Sequence, residues 1–151
     1  MLLQVKAMLT KPNAKLPTWG SMNAAGADLY AALSEEQMPF VEIHPGETVM
    51  VSVGIKTEFT PGHVALIHAR SGLATKNGIA PANKVGVIDA DYRGEWFVAL
   101  HNHSDKSYIL EDGARIAQVL FQEVEHPEFV LADELDTTER GEGGFGSTGN
   151  K

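Results

Sequence analysis

Between Gly86 and Gly94 the chain reads Gly-Val-Ile-Asp-Ala-Asp-Tyr-Arg-Gly, which puts two carboxylates and a phenol where an apolar run gives way to turn formers. A carboxylate that directly follows Val87 and Ile88 is expected at the edge of the core, held firmly enough to orient a water and take its proton. Asp89 is the residue so placed. The structural alternative is a hairpin in which Asp89 and Asp91 only bond their own backbone. The residues of this segment leave both readings open.

Other segments add partial chemistry. Arg70-Ser71-Gly72 follows a strand-like run and opens a short helical turn over Ser71–Lys76, so exposed amides, a hydroxyl and a guanidinium could together hold an anion. Such turns are common, and this signal is weak alone. In Ala25-Gly-Ala-Asp-Leu-Tyr30, Asp28 reads equally well as a satisfied turn carboxylate. Arg115 and Gln118 begin a strand and are expected on opposite faces by simple alternation. His101 and His103 have the spacing of a zinc pair, but no third ligand accompanies them. Gly141, Gly143 and Gly146 satisfy the G-x-G-x-x-G pattern, yet no strand precedes them and no helix can follow before Lys151, which excludes a dinucleotide fold. Arg140 and Phe145 among those glycines suggest instead an arm whose backbone wraps a phosphate, with Phe145 stacking on a base.

The elements that must position these residues are strands. Leu3, Val5, Ala7 and Leu9 alternate with polar neighbours, as do Val49, Val51, Val53 and Ile55, and then Val64, Leu66 and His68. Further runs cover 95–100, 107–110 and 115–124, separated by Pro45-Gly46, Pro61-Gly62, Asn77-Gly78, Arg93-Gly94 and Asp112-Gly113. Short strands at this spacing predict a single all-β sandwich or barrel. At 151 residues, 43% hydrophobic and 21% charged, the chain suits one core. A net charge of −8 with scattered Lys and Arg disfavours a nucleic-acid polymer. The absence of cysteine excludes thiolate chemistry and disulfides. No apolar run suits a signal peptide or a membrane span, so a cytoplasmic enzyme without membrane contact is expected.

Five segments in order carry a resemblance: Ala-Gly-Ala-Asp-Leu at 25–29, Arg-Ser-Gly-Leu-Ala at 70–74, Gly-Val-Ile-Asp-Ala-Asp-Tyr-Arg-Gly at 86–94, Arg-Ile-Ala-Gln at 115–118, and Arg-Gly-Glu-Gly-Gly-Phe-Gly-Ser-Thr-Gly at 140–149. Together they resemble the dUTP pyrophosphatase (dUTPase) family in its trimeric all-β form. The resemblance implies a jelly-roll-like β-barrel over 1–132 and a flexible glycine-rich arm over 133–151 that closes over the site. It implies hydrolysis of dUTP to dUMP and pyrophosphate by water attack on the α-phosphorus. On that resemblance Asp89 holds the 3′-hydroxyl and activates the water, and Tyr92 packs against the deoxyribose, leaving no room for a 2′-hydroxyl. Asn83 and the backbone of Gly86, Val87, Ile88 and Asp89 line the uracil pocket, and Phe97 joins the substrate-binding set. Arg70, Ser71, Gly72 and Gln118 hold the phosphates. Arg140 grips the terminal phosphate while Phe145, with Gly146, covers the base. Mg²⁺ is implied on triphosphate oxygens and waters, without a direct protein ligand, Asp28 and Gln118 reaching it through water. Arg115 supports the site by ion pairing. A homotrimer with sites shared between subunits is also implied. Ala69 departs from the proline that many relatives carry there.

Uracil presents acceptor, donor and acceptor along its pairing edge, and a fixed hairpin backbone can offer the complement. Cytosine reverses two positions and would leave buried groups unpaired, a penalty of ~10⁴-fold in favourable cases. Thymine must be excluded by crowding at its methyl. Two other readings compete. A dCTP deaminase would share the barrel and release ammonia from dCTP, and a nucleotide-responsive regulator would bind a protein partner stoichiometrically.

Overall fold

The computed structural model describes residues 3–33 and 39–144. In chain order its elements are β1 (Lys6–Leu9), β2 (Thr18–Trp19), β3 (Ala27–Tyr30), β4 (Phe40–Ile43), β5 (Thr48–Ser52), β6 (Ile55–Glu58), β7 (His63–His68), α1 (Ser71–Asn77), β8 (Ile79–Pro81), β9 (Gly86–Asp89), β10 (Phe97–Asn102), β11 (Tyr108–Glu111) and β12 (Arg115–Glu123). All recorded pairings are antiparallel, which fits strands too closely spaced for crossover helices. The strands form four sheets: β1 with β6; β5, β10 and β8; β11 with β4; and β2, β3, β12, β7 and β9 side by side in that order. This is the all-β, jelly-roll-like arrangement expected, with one short helix. No helix among the described residues is long and apolar enough to cross a membrane.

The sheets enclose one apolar core. Leu29, Ile43, Val53, Ile55, Ile79, Leu100 and Ile116 are wholly buried, and Trp96 is 1% exposed. Each such side chain withdrawn from water contributes about 2 kcal/mol. The backbone of Trp96 ties two elements together: its N–H donates to Ile55 O at 2.9 Å and its carbonyl accepts from Val53 N–H at 2.9 Å. One polar side chain also lies fully inside. Asn102 donates to Ile43 O and Lys106 O, each at 2.8 Å, and accepts from Ser104 N–H at 2.9 Å and Ser104 Oγ at 2.8 Å. All four of its amide bonds are satisfied, so it fixes the 102–106 turn against β4 instead of weakening the core.

Two sequence expectations need correction. The alternating run from Val49 to Lys56 is not one strand but β5 and β6, broken at Gly54. There φ is +72°, and an added Cβ would lie 2.6 Å from Ala14 Cβ and 2.8 Å from Ala32 Cβ, so only glycine serves. The alternation from Leu3 to Leu9 predicts one buried face, yet all four residues of β1 are exposed. Among the described residues β1 pairs only with β6, and of this run Val5, just before β1, packs against the core. Beyond β12 the described chain carries no strand or helix, and Phe129, Val130 and Leu131 are exposed.

Candidate active site

β9 is the outer strand of the five-stranded sheet, with Gly86 opposite Ile67 and Asp89 opposite Val64 of β7. The sequence predicts a buried strand here, but Val87 is 60% exposed and Asp89 is exposed. Val87 and Asp89, two apart, share the sheet face left uncovered among the described residues. Both front a cleft of ≈1020 Å³ that Lys6, Glu58, His63, Asp91 and Arg93 also line. The turn after it is fixed by its own bonds. Tyr92 N–H donates to Asp89 O at 3.1 Å, and Arg93 Nη1 donates to Ala90 O at 2.7 Å and to Tyr92 O at 3.2 Å. The Tyr92 hydroxyl donates to Glu95 O at 3.1 Å, folding the ring back over Gly94.

At the other end of β9 the turn from β8 is tight. Lys84 adopts φ +66°, rare without glycine, and its N–H donates to Pro81 O at 3.1 Å. Asn83 O accepts from Val85 N–H at 2.7 Å. An added Cβ on Gly86 would lie 3.1 Å from Ile67 Cβ and 3.6 Å from the Asn83 amide nitrogen. Asn83, Gly86, Val87, Ile88 and Asp89 thus share one hairpin, and Phe97 stands exposed at the start of β10.

A second cluster forms where β3, β12 and the start of α1 meet. Asp28 Oδ1 accepts from Arg70 Nε at 2.8 Å, and Asp28 Oδ2 accepts from Arg115 Nη1 at 3.1 Å. One carboxylate holds two guanidiniums, with Arg70 the more buried of the pair. Gln118 Nε2 donates to Ala69 O at 2.9 Å, which ties β12 to the residue before Arg70. Gly26 makes room for that amide, since an added Cβ would sit 2.7 Å from Gln118 Oε1. Ser71 and Gly72 are exposed in the first turn of α1, beside Arg70.

The expected separation of Arg115 and Gln118 is corrected here. A bulge between Arg115 and Ala117 shifts the register, so Arg115 faces Tyr30 and Gln118 faces Asp28, residues of one face of β3. Ile116 and Ala117 are both buried as a result, and Arg115 and Gln118 share the side that carries Asp28. Simple alternation missed this because an inserted residue flips parity.

The two clusters do not meet within one chain. Asp89 lies opposite Val64, and Arg70 follows six residues later along β7 and its extended continuation, roughly 20 Å away at strand rise. Arg140 lies farther along the chain, where its Nε donates to Gly143 O at 2.8 Å in a local turn. Phe145 and Gly146 lie outside the described residues.

Among the described residues no group of three or more His, Asp or Glu is arranged to hold an ion. Both oxygens of Asp28 already face arginines, so this donor set suits a cation carried on a ligand's own oxygens, not one caged by protein. The rings of His101 and His103 meet edge to face at 4.4 Å, and His101 Nδ1 shares a 2.8 Å hydrogen bond with Thr48 Oγ1. Burial, and then the neighbouring His101 and Lys84, push the His103 pKa below its ordinary value. Sequence reasoning overlooked Gly26, Asn102 and the Gly94–Glu95 contact with Tyr92. Only Asn102, a polar residue ending the apolar run from Phe97, left a readable signal.

Comparison with known proteins identifies a family. The family model described as dUTPase matches residues 12–149. The deoxyuridine 5′-triphosphate nucleotidohydrolase of Desulfitobacterium hafniense (strain DSM 10664 / DCB-2) is 50% identical over 136 residues, covering 89% of this chain and 87% of that protein. The protein of the same name from Klebsiella pneumoniae (strain 342) is 43% identical over 137 residues, covering 90% and 88%. A structure of the Staphylococcus bacteriophage 80alpha dUTPase with dUPNHPP superposes with a TM-score of 0.86 at 26% identity, covering 97% of this chain and 98% of that one. With that family model over residues 12–149 and a relative 50% identical across most of both chains, the chain belongs to the dUTPase family.

Proposed function

We propose that this protein hydrolyses dUTP to dUMP and pyrophosphate, with water attacking the α-phosphorus, in the cytoplasm. This keeps uracil out of DNA and supplies dUMP for thymidylate synthesis. The observation that carries the reading is the Asp89–Gly94 turn: a carboxylate facing an open cleft and, three residues on, an aromatic ring held by its own hydroxyl. Asp89 takes the proton of the attacking water while its position on the β7–β9 ladder fixes its direction. Asn83 and the Gly86–Asp89 backbone read the uracil edge, Tyr92 covers the deoxyribose and Phe97 borders it. Arg70, Ser71, Gly72 and Gln118 take the phosphates, with Asp28 and Arg115 holding Arg70 in place.

Asp89 at the α-phosphorus and Arg70 at the phosphates must reach one nucleotide, and their separation of ~20 Å along one chain exceeds the length of a triphosphate, so a second copy would supply one of them. This supports a homotrimer whose sites lie between subunits. Residues 1–132 form the body, and the 133–151 arm brings Arg140, Phe145 and Gly146 over the bound nucleotide. Mg²⁺ would sit on the triphosphate, with Asp28 and Gln118 reaching it through water, and would neutralise phosphate charge.

The test is pyrophosphate release from dUTP, dTTP, dCTP and UTP in the presence of Mg²⁺. Asp89→Asn is expected to bind dUTP but lose about 10²–10⁴-fold in turnover. Near-parental turnover would sink the assignment, and ammonia release from dCTP would favour a deaminase.

A further inference from the structure

Tyr92 is half-exposed, yet its ring is seated, not free. Its hydroxyl donates to Glu95 O at 3.1 Å, and the ring lies directly over the Gly94 α-carbon. A Cβ built on Gly94 would fall inside the phenol, overlapping Oη and Cζ and lying 2.8 Å from Cε2. The φ of Gly94 is not in the left-handed region, so alanine is compatible with the backbone there and acts through the ring alone. The Glu95 carbonyl that receives the hydroxyl is itself anchored. The Glu95 carboxylate accepts from Ser52 Oγ and faces Lys11 Nζ at 3.9 Å, and Ser52 Oγ also accepts from Gly54 N–H at 3.0 Å. A chain of contacts therefore runs from the β5–β6 break to the phenol.

We infer that Gly94 and Glu95 form a built seat for the Tyr92 ring, and that this seat sets the discrimination between deoxyribose and ribose. The inference rests on the dUTPase reading above. The base-facing segment is held separately, by pairing of Gly86 and Asp89 with Ile67 and Val64 of β7, and nothing at Gly94 enters that ladder. Displacing the ring therefore opens space at the sugar and leaves the base edge as it was. Gly94 and Glu95 are positioning residues acting through Tyr92.

The experiment compares kcat/KM for dUTP, UTP and dCTP in the parent, Gly94→Ala and Tyr92→Phe, the last keeping the ring but losing its anchor to Glu95. Gly94→Ala is expected to lower the dUTP:UTP ratio by about tenfold or more while the dUTP:dCTP ratio stays within about threefold of the parent. Tyr92→Phe is expected to move the sugar ratio in the same direction by less, and it decides the matter if Gly94→Ala fails to fold. An unchanged sugar ratio in every variant that folds overturns the inference, as does a parallel fall of both ratios, the mark of general loosening. A parent that does not hydrolyse dUTP overturns the reading of the site itself, and the seat with it.

Discussion

Replacing Asp28 by alanine removes the one carboxylate that stands between Arg70 and Arg115. The Arg70 bond is 2.8 Å long between side chains that are 26% and 15% exposed, so a charge-assisted bond of about 1.5–3 kcal/mol is at stake. The Arg115 side chain is 52% exposed and its 3.1 Å contact is screened by water, which limits it to about 0.5 kcal/mol. Their sum predicts a loss of about 2–3.5 kcal/mol for Asp28→Ala, or roughly 4–14 °C in melting temperature for a chain of this size. Asp28→Asn keeps one neutral acceptor and should lose about half as much. Arg115→Met alone should cost less than about 1 kcal/mol. The assay is urea and thermal unfolding at one fixed protein concentration, because an oligomer's apparent stability depends on concentration. If Asp28→Ala unfolds within about 0.5 kcal/mol of the parent, or Arg115→Met costs as much as Asp28→Ala, the clamp is not organised as its distances indicate.

Three further outcomes are expected. Gly26→Ala drives a methyl to 2.7 Å from Gln118 Oε1, so the Gln118 bond to Ala69 O should break at a cost of about 1 kcal/mol, and steady-state kinetics should show KM for dUTP rising more than kcat falls. Asn102→Ala strands Ile43 O inside the protein and takes the partner from the half-buried Ser104 N–H, while Lys106 O keeps the Ser104 hydroxyl, and should cost about 2–4 kcal/mol in urea denaturation; a loss under about 1 kcal/mol would mean water replaces the amide. Burial opposes ionisation of Glu95, but the Ser52 hydroxyl together with Lys11 and Lys56 holds its pKa below the ordinary 4.5. Stability from this group is complete above 4.5 and is lost as pH falls through the depressed value, so Glu95→Gln should flatten the acid limb of a stability–pH profile and leave its neutral limb unchanged in slope.

Strand character was readable wherever turn chemistry bounded it. Asn77-Gly78 ends α1 with Gly78 at φ +69°, and β7, β10, β11 and β12 fall within a few residues of the runs that announce them. What failed was anything decided by a neighbouring segment. Gly54 continues an alternating pattern in sequence, yet the approach of Ala14 and Ala32, forty and twenty-two residues earlier, makes it a break. β2, β3, β4 and β8 span two to four residues each and draw their definition from partners, not from periodicity. Local pattern carries no record of those partners.

The site divides along the same line. Arg-Ser-Gly and the Asp-Ala-Asp-Tyr turn could be singled out from residue types because the expectation is local: a helix start that could hold an anion, a hairpin carboxylate that could take a proton. The reason Asp28 belongs with Arg70 and Gln118 was not local, because it depends on a bulge that turns Arg115 and Gln118 to one face. Alternation alone places those two residues apart, and then Asp28 remains an ordinary turn carboxylate. Once the bulge is counted, one acid holds two arginines and one amide holds the strand before them. The same residue that spoils the periodicity is thus what gathers Asp28, Arg70, Arg115 and Gln118 into one corner. A sequence reader therefore gains more from asking where Ile116 and Ala117 could both be buried than from extending the alternation through them.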